Sequence, residues 1–373
     1  MEFKIEKEEF AKGLYRIQSI VEKKGTMPIL LNVLLETYEK GIAITATDLE
    51  IGLKGFHPAE IIKEGRATLS AKKLYEVIKE LPEKEVFLKL KENQWVEISS
   101  GKSLFNIMGL SADSFPSLPV FEEEEFVSAD VEILKEMIEK TIFAVSSDES
   151  RYNLTGVFFT QKNEGEEKDL NLKMVATDGY RLSLIERSIR MEVKGLEKGI
   201  LLPKKGLVEL IKLLAEGGEA GWIKLKNNNF IVKKGNAILL MRLLDAEFPD
   251  YRQVIPLNTK KHIRMKRNQI IESLRRVSIL SSEKTRGVKF HFSQNLLELS
   301  SYNPELGEAK DDVPVDYKGE DITIGFNSRF VLEVLNIMKG EEVVLALEDG
   351  SSPAIIRPSN DERHTCVVMP MRL

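Results

Sequence analysis

The sequence predicts an α+β protein built from three repeated modules, each with two helices packed on antiparallel sheets. Three observations carry this prediction. Apolar residues recur at helical spacing in short runs, and runs of strand length cut by Asn and Gly turns follow. The whole helix–meander unit then returns at fixed offsets. Leu74 and Leu207 lie 133 residues apart, as do Met108 and Met241, and Phe115 and Phe248. Glu209 and Glu333 lie 124 apart. Equal offsets at both ends of a unit mark an internal repeat rather than shared composition.

In order, EEFAKGLYRIQSIVEK opens the chain as a helix with Phe10, Leu14, Ile17 and Val21 on its apolar stripe. Strand-like LLNVLLETYE and GIAITATD follow, then a second helix, AKKLYEVIKELP, with VFLKLK, WVEIS and SLFNIMGL. The next third begins with EILKEMIEKTIFAV (Leu134, Ile138, Ile142, Val145) and continues through GVFFTQ and LKMVATD. Its second helix places Leu207, Leu210, Ile211 and Leu214 at i, i+3, i+4 and i+7, ahead of WIKLK, FIVKK and AILLMRLL. In the last third the helix NQIIESLRRVSIL (Ile270, Ile271, Leu274, Val277) precedes VKFHFS and LLELSSYN. RFVLEVLNIMKG, VVLALED, AIIRPS and CVVMPMRL close the chain. Each third thus holds two helices and roughly eight strands. Domains are expected at 1–124, 125–255 and 256–373, with Glu122–Glu125 and Pro256–His262 as linkers. Glu164–Asp169 reads as a hairpin tip, though plain solvated chain is the simpler and favoured account of both acidic runs.

A chain of 373 residues with 42% hydrophobic and 30% charged side chains can bury a core in each third and keep a solvated surface. No apolar run approaches the ~18–20 residues that span a bilayer. The opening MEFKIEKEEF is too charged for a signal peptide, and the single Cys366 excludes a disulfide framework within the chain. A cytoplasmic protein is expected. The net charge of −5 argues against a simple DNA binder, whose footprint is usually basic. Lysines and arginines nevertheless sit on all six predicted helices, among them Lys12, Lys73, Lys140, Lys205 and Arg276. Any surface helix carries such residues. A threefold repeat would point them all one way, and a shared basic face attracts phosphates without reading bases.

Chemistry that would announce an enzyme is absent: there is no GxxxxGK[ST], GxGxxG, HExxH or GxSxG string. No cofactor or metal is expected, because His57, His262, His291 and His364 lack ligand spacing. Cys366 within CVVMPM reads as a buried thiol. Two Thr-Asp pairs, in ATDLE and ATDGYR, invite a catalytic reading around Asp178 and Arg181. They occupy equivalent places at strand ends, where an Asp capping its own turn is the simpler account.

VATDGYRL, FPDYRQVIP, LSSEKTRGV and the terminal VVMPMRL, with MPILLN and RYNLTG, together resemble the bacterial sliding clamp family, the β subunit of DNA polymerase III. The resemblance covers the whole chain in order. It implies a non-catalytic homodimeric ring, closed head to tail around duplex DNA. Helices would line the hole and sheets the rim. Polymerases, repair proteins and an ATP-driven clamp loader would be its partners, with no membrane involved.

By the resemblance, a partner-peptide pocket between the second and third domains uses Leu154, Thr177, Gly179, Tyr180, Arg181, Leu182, Pro249, Gln253, Val254, Val367, Met369, Pro370, Met371 and Arg372. Flexible methionines and aliphatics suit several partners. Tyr180 stands where the family commonly has histidine, and Gln253 where arginine can occur. Lys24, Tyr152 and Asn153 correspond to loops that reach DNA, the asparagine replacing an aromatic. Ile279 and Leu280 would pack on Phe105 and Ile107 of a second subunit, two different surfaces meeting. Other readings are a repeat scaffold that binds only proteins, an enzyme built on Asp178 and Arg181, and a clamp relative specialised for repair or resistance.

Overall fold

A computed structural model describes residues 1–21, 27–119, 126–163, 170–189, 192–217, 221–257 and 259–372. In the first third, β1 (Glu2–Glu6) and α1 (Lys7–Ile17) precede β2 (Asn32–Tyr38), β3 (Gly41–Thr47), β4 (Ile51–Pro58), β5 (Glu60–Lys63) and β6 (Arg66–Ser70). Then come α2 (Ala71–Glu80), β7 (Glu85–Leu90), β8 (Trp95–Ser100) and β9 (Ser103–Met108). The second third runs β10 (Val127–Ala129), α3 (Val131–Glu139), β11 (Gly156–Asn163), β12 (Leu170–Thr177), β13 (Arg181–Ile189) and β14 (Ile200–Pro203). It ends with α4 (Lys204–Ala215), β15 (Gly221–Lys226), β16 (Asn229–Lys234) and β17 (Ala237–Arg242). The last contains β18 (Lys261–Lys266), α5 (Arg267–Ser278), β19 (Gly287–Ser293), β20 (Leu296–Asn303), β21 (Gly307–Pro314) and β22 (Ile322–Asn327). α6 (Ser328–Ile337), β23 (Glu342–Leu347), β24 (Ala354–Pro358) and β25 (His364–Val368) complete it. The helices α2, α4 and α6 each begin directly after a strand, at Ala71, Lys204 and Ser328, so the structure keeps the 133 and 124 offsets of the sequence.

The chain divides into two compact units that do not coincide with the sequence thirds. Met1–Val131 joins Lys205–Leu243, and Glu132–Lys204 joins Leu244–Leu373. The cause is strand pairing across the repeat. In the first unit β17 pairs β4 antiparallel, from Ala237 opposite Gly55 to Met241 opposite Ile51. In the second, β25 pairs β13 in the same way, from Arg181 opposite Val368 to Ile185 opposite His364. The last strand of one module thus extends the first meander of the preceding one. Each unit then holds an eight-stranded sheet, β10-β15-β16-β17-β4-β3-β2-β6 or β14-β11-β12-β13-β25-β24-β23-β18. A five-stranded sheet, β5-β1-β7-β8-β9, completes the first unit and a four-stranded one, β21-β20-β19-β22, the second.

Period-2 alternation sorts the second unit's side chains. Leu345, Ala354, Ile356, Cys366 and Val368 join a core with Ile270, Leu274, Val277 and Leu335 of α5 and α6. Ala346, Ile355 and Val367 point to the other face and join Val175, Leu182 and Leu184. The helix stripes hold with local shifts. α1 ends at Ile17, where the Gln18 N–H donates to Tyr15 O at 3.2 Å, so fully buried Ile20 replaces Val21 as the last apolar anchor. α3 stops at Glu139, and Thr141 Oγ1 donates back to Met137 O at 2.8 Å before a 3₁₀ turn at Ile142–Ala144. Leu213, not Ile211, completes the buried face of α4. The expected linker Glu122–Glu125 and hairpin tip Glu164–Asp169 lie outside the described residues. No helix among the described residues is long and apolar enough to cross a membrane.

Candidate functional site

The two Thr-Asp pairs make the same turn. Asp48 Oδ1 accepts from the N–H groups of Glu50 (3.0 Å) and Ile51 (2.6 Å), while Thr47 Oγ1 donates to Ile51 O at 2.9 Å. Asp178 Oδ1 accepts from Tyr180 N–H (2.9 Å) and Arg181 N–H (3.0 Å), and Thr177 Oγ1 donates to Arg181 O at 2.6 Å. Each turn needs a residue at positive φ, Leu49 at 76° and Gly179 at 86°. Both carboxylates are therefore structural caps.

Arg181 is equally committed. Its guanidinium donates to Asp178 Oδ2 at 3.1 Å, to Glu333 and to Phe143 O at 2.8 Å, between the rings of Phe143 (5.1 Å) and Phe330 (4.7 Å). It is 6% exposed, so it shapes the site rather than offering free donors. Tyr180 projects beside it, 54% exposed and stacked on Phe330 at 6.2 Å, with the Arg151 guanidinium 5.6 Å from its ring. Arg151, outside the expected pocket, donates from its Nη1 to Asp178 O at 2.7 Å and so ties the Tyr152–Leu154 turn to this one.

A groove floor lies next to these turns on the face of the second unit's sheet away from α5 and α6. Leu182 and Val367 are cross-strand partners in it, joined by Val175, Leu184, Ala346 and Ile355. Half-buried Phe158, Phe248, Tyr251 and Ile255 pack against them, with Phe158 and Phe248 stacked at 5.3 Å. Pro249, Gln253 and Val254 are exposed on that last segment, and Gln253 Nε2 donates to Asp250 at 3.4 Å. The chain end is fastened alongside: Met369 N–H donates to Tyr180 O at 2.8 Å and Met371 N–H to Gly325 O at 2.9 Å. Met369 and Pro370 are half-buried, whereas Leu154 is 8% exposed and sits under the turns. Met371 and Arg372 face a separate cavity of about 890 Å³ with Thr285, Lys289 and Tyr302. Several floor residues had a local signal. Phe248, Tyr251 and Ile255 lie in the FPDYRQVIP string, and Leu184 follows Leu182 at strand spacing. Ala346 and Ile355 reach the floor only through sheet pairing.

Of the basic residues proposed from the helices, Lys12, Lys73, Lys205 and Arg276 are exposed. Lys73 pairs with Glu76 at 2.8 Å, Arg276 with Asp311 at 2.6 Å and Lys205 with Asp48. Lys140 is a correction. It is 4% exposed, and its ammonium lies 2.9 Å from Glu136 and 3.3 Å from Asp361, inside a network completed by Arg187. Lys140 N–H still donates to Glu136 O at 3.0 Å at the end of α3, and its side chain runs beside Glu136 toward Asp361 rather than onto the basic face. Arg187 and Lys140 hold the Glu136 carboxyl down at about 2. Tyr152 is 49% exposed and Asn153 half-buried, and Lys24 lies outside the described residues.

His364 and Cys366 are buried beside this network. Burial pushes the Cys366 thiol up to about 12, the state of an inert core cysteine. His57 is also buried, its Nδ1 2.6 Å from Glu9. At one edge of the five-stranded sheet, β9 exposes Leu104 (59%), Phe105 (40%) and Met108 (64%), and Ile107 is half-buried. Ile279 caps α5 with 74% of its surface exposed, next to half-buried Leu280.

Threefold helix–meander modules whose last strands extend the neighbouring module, with no assembled catalytic group at the Thr-Asp turns, describe a scaffold of repeated clamp domains. Comparison with known proteins agrees. Family models for the DNA polymerase III beta subunit match in order: the N-terminal domain over residues 1–119, the central domain over 129–250 and the C-terminal domain over 252–372. The beta sliding clamp of Escherichia coli strain K12 is 34% identical over 378 residues, and that of Vibrio cholerae 32% over 374, each covering 100% of both chains. A crystal structure of the C. crescentus beta sliding clamp superposes with a TM-score of 0.94 at 32% identity, over 100% of both chains. That of the Thermotoga maritima beta subunit gives 0.89 at 33%, over 100% of this chain and 99% of the other. The chain belongs to the beta sliding clamps, the beta subunits of DNA polymerase III. It is a non-catalytic processivity subunit.

Proposed function

We propose that two copies of this chain close head to tail around duplex DNA and that the ring tethers polymerases by short peptides seated in the second unit's groove. The observation that carries ring closure is the pairing rule of the repeat. β4 accepts β17 and β13 accepts β25, each the last strand of the following module. By the same rule β21 lacks a last strand to accept and β9 lacks a meander to extend, and both lie at sheet edges. An open edge carrying exposed Leu104, Phe105 and Met108 is a template for another chain. Pairing β9 with β21 of a second copy brings Phe105 and Ile107 toward Ile279 and Leu280. Two such junctions make a closed ring of three-domain subunits, with domains at 1–124, 125–255 and 256–373.

In this reading the exposed positives Lys12, Lys73, Lys205 and Arg276, with Lys24, Tyr152 and Asn153, attract the DNA backbone loosely. Topology supplies retention, so contacts stay weak enough to slide. A tethered polymerase that lets go rebinds at high effective concentration. Thr177, Gly179, Tyr180, Leu182, Pro249, Gln253, Val254, Val367, Met369 and Pro370 form the peptide seat, over Leu154 and Arg181, and Met371 and Arg372 extend it toward the neighbouring cavity. A clamp loader using ATP opens the ring in the cytoplasm, and repair proteins share the seat. The test is size in solution: sedimentation should show a dimer at micromolar concentration. A monomer at all concentrations would rule the ring out.

A further inference from the structure

The repeat also builds a second groove, in the first unit. There Leu34 is opposite Thr45 and Gly52 is opposite Leu240, as Phe158 is opposite Val175 and Leu182 opposite Val367 in the second unit. Phe115-Pro116 stands 133 residues before Phe248-Pro249. The decisive difference is at one position. Where the second unit has Leu182 in its floor, the first has Gly52, and a Cβ built there would lie 2.6 Å from Leu118 Cδ2 and 3.2 Å from its Cδ1. The chain's own Leu118 therefore fills the space that a floor leucine fills in the other groove.

Room remains around it. A cavity of about 470 Å³ is lined by Leu34, Tyr38, Phe56, Ile238 and Leu240 as well as by Leu118. The Tyr38 and Phe56 rings meet edge to face at 5.8 Å, both more than a third exposed. Lys54 Nζ lies 5.0 Å and 5.5 Å from them. The plug is lightly held. Leu118 is only half-buried, and Pro116 and Pro119 have no N–H with which to tie the segment down.

We propose that this is a second docking groove, for an extended leucine-bearing peptide of a partner protein, kept shut by Leu118. The occupant's chemistry is that of the residue now seated: a leucine on extended chain, against an aliphatic floor, beside an aromatic pair. The proposal rests on reading the second unit's groove as a peptide seat.

The probe is a fluorescein-labelled peptide, Phe-Pro-Ser-Leu-Pro-Val-Phe, copying residues 115–121, titrated against the full chain by anisotropy. All proteins carry Val254→Asp, which disables the other groove at an exposed position. Adding Leu118→Ser should tighten binding at least tenfold, and adding Gly52→Leu to that variant should reverse the gain. No gain from Leu118→Ser, or a gain that survives Gly52→Leu, overturns the proposal. Should Leu118→Ser fail to fold, Gly52→Leu alone decides. It must expel Leu118 and raise hydroxyl-radical labelling of that half-buried side chain, and unchanged labelling overturns the seat. The other groove is judged separately, by removing residues 369–373 with Leu118 intact, so either groove can fail alone.

Discussion

Replacing Ile279 with alanine tests the proposed ring junction with little disturbance of the fold. Ile279 caps α5 with 74% of its surface exposed, so it contributes little to the stability of its own chain. Fully burying an isoleucine is worth about 1.5–3 kcal/mol, and three-quarters of that about 1–2 kcal/mol at each junction. A head-to-tail pair has two junctions, so Ile279→Ala should weaken the dimer by about 2–4 kcal/mol, or roughly 30- to 1,000-fold in dissociation constant. Sedimentation equilibrium over a wide concentration range reads this directly, and the thermal midpoint of the monomer should stay within a degree or two of the unaltered chain by about the same reasoning. A dissociation constant unchanged by both Ile279→Ala and Phe105→Ala would refute the junction.

Three further outcomes are expected. Removing Met369–Leu373 deletes the bonds to Tyr180 O and Gly325 O and should abolish polymerase-peptide capture in a pull-down while the dimer persists; normal capture would displace the seat. Arg181→Met removes charged hydrogen bonds to Asp178 and Glu333, which keep backbone donors and Arg329 respectively, and should cost about 1.5–3 kcal/mol in urea unfolding. A cost near zero would mean the network is slack. For pH, burial holds the His364 imidazole down at about 4, against an ordinary 6.5. Below pH 6.5 the unfolded chain takes a proton that the folded chain refuses, so stability falls as pH drops from 6.5 to 4, by about 3 kcal/mol at most. The Glu136 carboxylate adds its own loss lower down, between 4.5 and about 2. His364→Gln should shallow this upper window, which buried His57, also held below its ordinary value by burial, shares, and leave the lower one; an unchanged upper slope would assign it to other groups.

Much of this architecture is legible in the residues because periodicity and repetition are local properties. The stripe of α5 and the starts of α2, α4 and α6 follow directly from the spacing of apolar side chains. The turn role of Asp48 and Asp178 is legible too, because two copies of one motif rarely share a catalytic accident. What pairing adds is not local. The compact units cut across the sequence thirds because β17 and β25 cross to the preceding module, which no run of residues announces. Lys140 looks like any helix lysine until Glu136, Asp361 and Arg187, brought from three places in the chain, enclose it. Ala346 and Ile355 enter the groove floor for the same reason, by register rather than motif.

Topological retention is the central claim. The most direct measurement loads the protein with its clamp loader and ATP onto nicked circular DNA, then compares retention at moderate salt before and after the circle is cut. A ring stays on the circle and runs off the linear form. Equal retention on both would mean ordinary binding and would contradict encirclement.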